Sequence, residues 1–156
     1  MEILAQEGTP WKYPVRYSFN DNIIKLIDHR EIGMGGPLMG GLFINGTEVS
    51  ILNGKKYCHY TFGGPIILTD KYIYIPLFET KGNEHKAIKP TYLDCPTDFP
   101  GYHISRVSYN GNIEILSEKC PLVHLIKKTD NTLFFKDRYG GAIKSIEIPS
   151  EQASIF

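Results

Sequence analysis

Five histidines, three cysteines and ten tyrosines are the residues of this chain whose types could do chemistry or recognition, and their spacing limits what each can do. His29 stands in Asp28-His29-Arg30-Glu31, where carboxylates on either side favour an imidazolium and would suit a general base. Spacing assigns it no nucleophile, and a solvated turn after a strand explains the same run. Cys58-His59 is the one adjacent thiol and imidazole. Successive strand residues point to opposite faces, so these two do not meet as nucleophile and base. Cys95 could meet His103 or His124 only through the fold. His29 and His103 are therefore the catalytic candidates of an alternative reading, a small hydrolase or nuclease-like enzyme using remote histidines and carboxylates.

Metal and phosphate chemistry find no motif. His85, His103 and His124 lie 18 and 21 residues apart, with no H-x-H, no H-E-x-x-H and no paired cysteines, so no metal and no cofactor are expected. Gly33-Met34-Gly35-Gly36-Pro37-Leu38-Met39-Gly40-Gly41 could offer backbone N–H groups to an anion. It lacks phosphate-loop spacing, and no Lys or Arg occurs between Glu31 and Lys55. A tight or partner-binding loop with Met34, Leu38 and Met39 exposed is the expectation. Ten tyrosines and eight phenylalanines supply cross-strand packing, and also rigid contact area with a polar handle. Tyr92, Tyr102 and Tyr139, beside Pro or Gly turns, are with Met34 and Met39 the expected binding residues.

The elements that must hold these residues are strands. Between Tyr57 and Phe78 two apolar runs rich in β-branched and aromatic residues flank Gly63-Gly64-Pro65 and a Thr69-Asp70-Lys71 turn, which predicts strands through the middle of a sheet. Tyr13, Val15, Tyr17 and Phe19 alternate with polar residues, and Pro14 places that strand at an edge. Ile23 to Ile27 follows as a second strand. Asn45-Gly46 and Asn53-Gly54 predict hairpins and a three-strand meander over 42–62. Asn110-Gly111 predicts another hairpin, 122–127 should pair with 132–136, and 142–148 should close the sheet. About eleven strands result. Residues 79–101 carry charges and prolines without periodicity and read as a long irregular connection.

The expected fold is all-β with little or no helix. A single antiparallel domain over 1–156, built of hairpins, should form a strongly curled sheet or two packed sheets. Seventeen basic residues balance seventeen acidic ones. That disfavours nucleic acid as a partner and permits self-association. No apolar segment is long enough to span a membrane or act as a leader, and the odd cysteine count fits reduced core thiols, so a cytoplasmic address is expected. The preferred function is a non-enzymatic protein-binding module, such as an inhibitor or immunity-type protein that neutralises a protein partner. A carbohydrate-binding module is the third reading, carried by the tyrosines.

Overall fold

A computed structural model describes residues 1–31, 36–52, 55–56, 61–79 and 101–151; side-chain placement is not described at 28–31, 51–52, 55–56 and 79. These residues form fifteen strands and no helix. In chain order they are β1 (Glu2–Leu4), β2 (Arg16–Phe19), β3 (Asn22–Glu31), β4 (Leu38–Ile44), β5 (Thr47–Glu48), β6 (Ile51–Leu52), β7 (Lys55–Lys56) and β8 (Thr61–Phe62). Then follow β9 (Ile67–Leu68), β10 (Tyr72–Glu79), β11 (Gly101–Ser108), β12 (Asn112–Ile115), β13 (His124–Thr129), β14 (Thr132–Lys136) and β15 (Lys144–Glu147).

The smaller sheet runs β1-β13-β14-β15, and the larger runs β2-β3-β4-β8-β10-β11-β12-β6-β7, with β5 added beside β4 and β9 beside β10. Every pair is antiparallel except β12 with β6, and neither sheet closes into a barrel. Strand β10 explains the arrangement. Ile73, Ile75 and Leu77 point to one core cluster, and Tyr74 and Phe78 to another. A strand apolar on both faces must be covered on both, which is why Tyr72 to Phe78 reads as a nearly continuous apolar run. The first cluster joins Tyr17, Ile24 and Leu42 from one end of the larger sheet to Val107 and Ile113 near the other, so that sheet curls around it. The second is shared with Leu125, Leu133 and Phe135 of the smaller sheet, packed on the opposite face. Each fully buried Ile, Leu or Phe contributes roughly 1.5–3 kcal/mol. Both expected architectures, a curled sheet and two packed sheets, are thus present together.

Local chemistry sets the register. Asn45 (φ 51°) and Gly46 (φ 85°) both take the left-handed region, which makes the β4–β5 turn the primed type that matches strand twist. A side chain on Gly63 would place its Cβ 2.6 Å from Met39 Sδ, so glycine there lets β8 close on β4.

Several local expectations are corrected. Tyr13 lies before β2 rather than in it and donates its hydroxyl to the Leu38 carbonyl at 2.5 Å. The described strands of 42–62 do not form the expected meander: β6 leaves β5, pairs in parallel with β12 and takes β7 as its other neighbour. The glycine-rich stretch is not wholly loop either. Its second half enters β4, where Gly40 pairs with Phe62 of β8 on one side and Gly41 with Ile27 of β3 on the other. Residues 32–35, 53–54, 57–60, 80–100 and 152–156, including the expected Asn53-Gly54 turn and most of the expected irregular connection, lie outside the described part.

Candidate functional site

Of the expected binding residues that are described, Tyr139 alone stands out on the surface, at 85% exposed. Its ring meets Trp11 edge to face, with centroids 5.7 Å apart and planes at 84°. Trp11 sits at the tip of a two-residue turn, closed by Thr9 N–H to Lys12 O (2.9 Å) and Lys12 N–H to Thr9 O (3.0 Å). Leu38 N–H ties the same turn to the body through Pro10 O at 3.0 Å. The Tyr139 loop is fixed at its base, where Lys144 Nζ donates to Asp137 Oδ2 at 2.6 Å and Arg138 Nε approaches Oδ1 at 3.4 Å. The Lys144 hydrogen bond, working against desolvation, holds the Asp137 carboxyl below its usual range. Exposed Ile143 follows in the same loop. The result is an aromatic and aliphatic protrusion on two anchored turns.

The other expected residues do not join it. Met39 is 2% exposed, against the expectation of an exposed loop residue, because β4 turns it into the second core cluster. Tyr102 is likewise buried, its ring 4.9 Å from that of Phe78, and burial pushes its hydroxyl up to about 12. Met34 and Tyr92 lie outside the described residues. His29 falls where the β3–β4 register shifts between Ile27 and Arg30, and its side chain is not described. His103 is buried in β11 with its Nδ1–H donated to Ser117 O at 3.0 Å. Desolvation, then Lys136, lowers the pKa of His124 on β13. Cys120 is free and half-buried at the edge of the second cluster, its pKa raised chiefly by burial; Cys58 and Cys95 lie outside the described part. Among the described residues no group of three His, Cys, Asp or Glu could hold a metal ion, and no helix is long and apolar enough to cross a membrane.

A second polar assembly escaped the sequence reading. Arg106 on β11 is 3% exposed and stands in register between Tyr74 on β10 and Glu114 on β12. Its guanidinium forks onto Glu114 (3.0 and 3.2 Å), donates to Pro149 O at 2.8 Å, and lies 4.1 Å from the Tyr72 ring centre. Burial opposes the charge; the Glu114 carboxylate and Tyr74 outweigh it and raise the guanidinium pKa. Below it the Glu151 carboxylate accepts from Tyr74 Oη (2.7 Å) and Thr69 Oγ1 (2.9 and 3.0 Å), with Lys128 Nζ at 3.7 Å. Lys71 Nζ donates to the Glu151 carbonyl at 2.8 Å. These contacts fasten residues 149–151 across both sheets. One part of it was legible. A hairpin at Asn110-Gly111 puts Arg106 opposite Glu114, and an arginine at an inward position of an alternating strand needs such a partner.

Trp11 also escaped notice, and its signal was the chain's single tryptophan directly after Thr9-Pro10. Compared with protein-family models, with curated proteins and with solved structures, the chain matches none.

Proposed function

We propose that this protein is a non-enzymatic binding module that engages another protein through the Trp11–Tyr139–Ile143 protrusion, acting in the cytoplasm as an inhibitor or immunity-type neutraliser of that partner. The supporting observation is the exposed Tyr139 ring held edge-on to Trp11 by two anchored turns. Rigid aromatic anchors lose little side-chain freedom on docking, and Trp and Tyr dominate the residues that carry interface energy. Rings crossed at 84° offer a sugar no flat two-ring platform, which favours a protein over a carbohydrate. His103, engaged with the Ser117 carbonyl in the core, fits a structural role better than a catalytic one.

The test is a pull-down from native extract with the full chain, followed by Trp11→Ala and Tyr139→Ala. At least one variant should weaken capture of the recovered partner by about thirtyfold, equivalent to about 2 kcal/mol, with thermal stability nearly unchanged. Recovery of a partner that both variants bind normally would overturn this surface.

A further inference from the structure

We propose that the outer edge of β2 receives an extended peptide segment from a partner as an added antiparallel strand. Among the described residues β2 ends the larger sheet and pairs with β3 alone. Its turn, Asn20 (φ 48°) and Asp21 (φ 65°), closes on the pair Phe19 and Asn22, and bonded pairs alternate with non-bonded ones along an antiparallel ladder. Phe19, Tyr17 and Val15 therefore turn their backbone groups toward β3, in keeping with the 2.8 Å bond from Leu26 N–H to Val15 O. Ile23, opposite Ser18, faces the other way. Its carbonyl accepts from Asn45 N–H and its N–H donates to Asn45 Oδ1, both at 2.8 Å. Arg16 and Ser18 thus direct N–H and C=O away from the sheet, and no described residue pairs with them.

That free edge borders a cleft of about 380 Å³ whose lining includes Gln6, Glu7, Pro14, Phe19 and Leu68. Two donor–acceptor pairs at alternate residues match the repeat of a strand, and this selects an extended peptide over a small anion or a sugar. Pro14 has no N–H and the Asn20-Asp21 turn ends the strand, so the added segment is about four residues long. Its residue opposite Tyr17 falls on the apolar side with Phe19 and Leu68. Those opposite Arg16 and Ser18 fall on the solvent side, where the exposed Arg16 favours an acidic residue. The site is separate from the Trp11–Tyr139 protrusion and does not depend on it.

Ser18→Pro tests the edge, because it removes an N–H that faces away from β3; Ser18→Ala keeps that group and removes only the hydroxyl. Dodecapeptides selected from a random phage-displayed library on the immobilised full chain serve as the probe. Selected peptides should alternate apolar and polar residues and bind wild type, Ser18→Ala and Tyr139→Ala alike. Against Ser18→Pro they should bind at least about tenfold more weakly. Failure to select any peptide, or equal binding to all four proteins, would overturn the proposal. Should Ser18→Pro fail to fold, the selected peptide N-methylated on alternate amides gives the same reading with wild type. Loss in one methylation register and not the other supports strand addition, and no loss in either overturns it.

Discussion

Tyr74 donates a 2.7 Å hydrogen bond to the Glu151 carboxylate, and this one contact joins the buried middle of β10 to the last described turn of the chain. Tyr74 is 0% exposed, so its hydroxyl has no water to fall back on if Glu151 leaves. Burial first, and the Glu151 bond second, push its pKa up. Lys128 and Thr69 face the same carboxylate, which makes Glu151 the hub of the fastening rather than a surface acid.

Glu151→Ala should therefore destabilise the protein by about 1–3 kcal/mol, the usual range for stranding buried polar partners. Tyr74→Phe alone should cost about 1 kcal/mol, and the double variant should fall short of the sum by about 1 kcal/mol, since both substitutions remove the same bond. Urea midpoints of the four proteins give the cycle. Strict additivity would mean that the two residues do not act together.

Tyr17 poses the opposite case. Its hydroxyl is the one buried side-chain polar atom among the described residues with no hydrogen-bond partner. Tyr17→Phe should leave stability unchanged or raise it by up to about 1 kcal/mol, because the phenyl ring keeps the packing and no bond is lost. A loss above about 1 kcal/mol in chemical denaturation would show that the hydroxyl has a partner in solution.

Burial also raises the Tyr17 hydroxyl to about 12, as it does that of Tyr102. A group whose folded value lies above its unfolded one of 10 supports the fold below pH 10 and loses that support as pH climbs toward 12. Stability should accordingly fall between pH 10 and 12. The slope should be shallower in Tyr17→Phe and in Tyr102→Phe, each of which removes one linked proton; identical slopes would contradict it.

On the acid side Asp137 runs in the other direction. Its carboxyl is held below the ordinary 3.8, first by the Lys144 hydrogen bond, so its contribution is present above that value and disappears as pH falls below it. Asp137→Asn should be less stable than wild type at neutral pH, and the difference should vanish in strong acid. A gap that persists unchanged below pH 2 would mean that packing, not charge, separates the two.

Gly46→Val probes the β4–β5 turn. A β-branched residue tolerates φ near 85° badly, and a cost of about 1 kcal/mol or more is expected even though a Cβ there would touch nothing. Equal denaturant midpoints would contradict the primed turn.

Alternation and turn chemistry are local properties, and the sequence by itself settled what depends on them. Val15-Arg16-Tyr17-Ser18-Phe19 after Pro14 marked an edge strand, Asn45-Gly46 and Asn110-Gly111 marked turns that the structure contains, and the absence of any helical period left an all-β fold. Tertiary structure alone decided what depends on faces meeting. Met39 and Tyr102 look like recognition residues by type and neighbourhood, yet both belong to the second core, because a strand covered on two sides has no outward face. Residue type does not say whether a second sheet lies above. Nothing local brings Trp11 to Tyr139 or Glu151 to Tyr74; thirteen strands, β2 to β14, separate the first pair and five, β11 to β15, the second. The order in which those strands pair is fixed by the joint burial of two apolar clusters, a condition on the whole chain that no window of sequence contains.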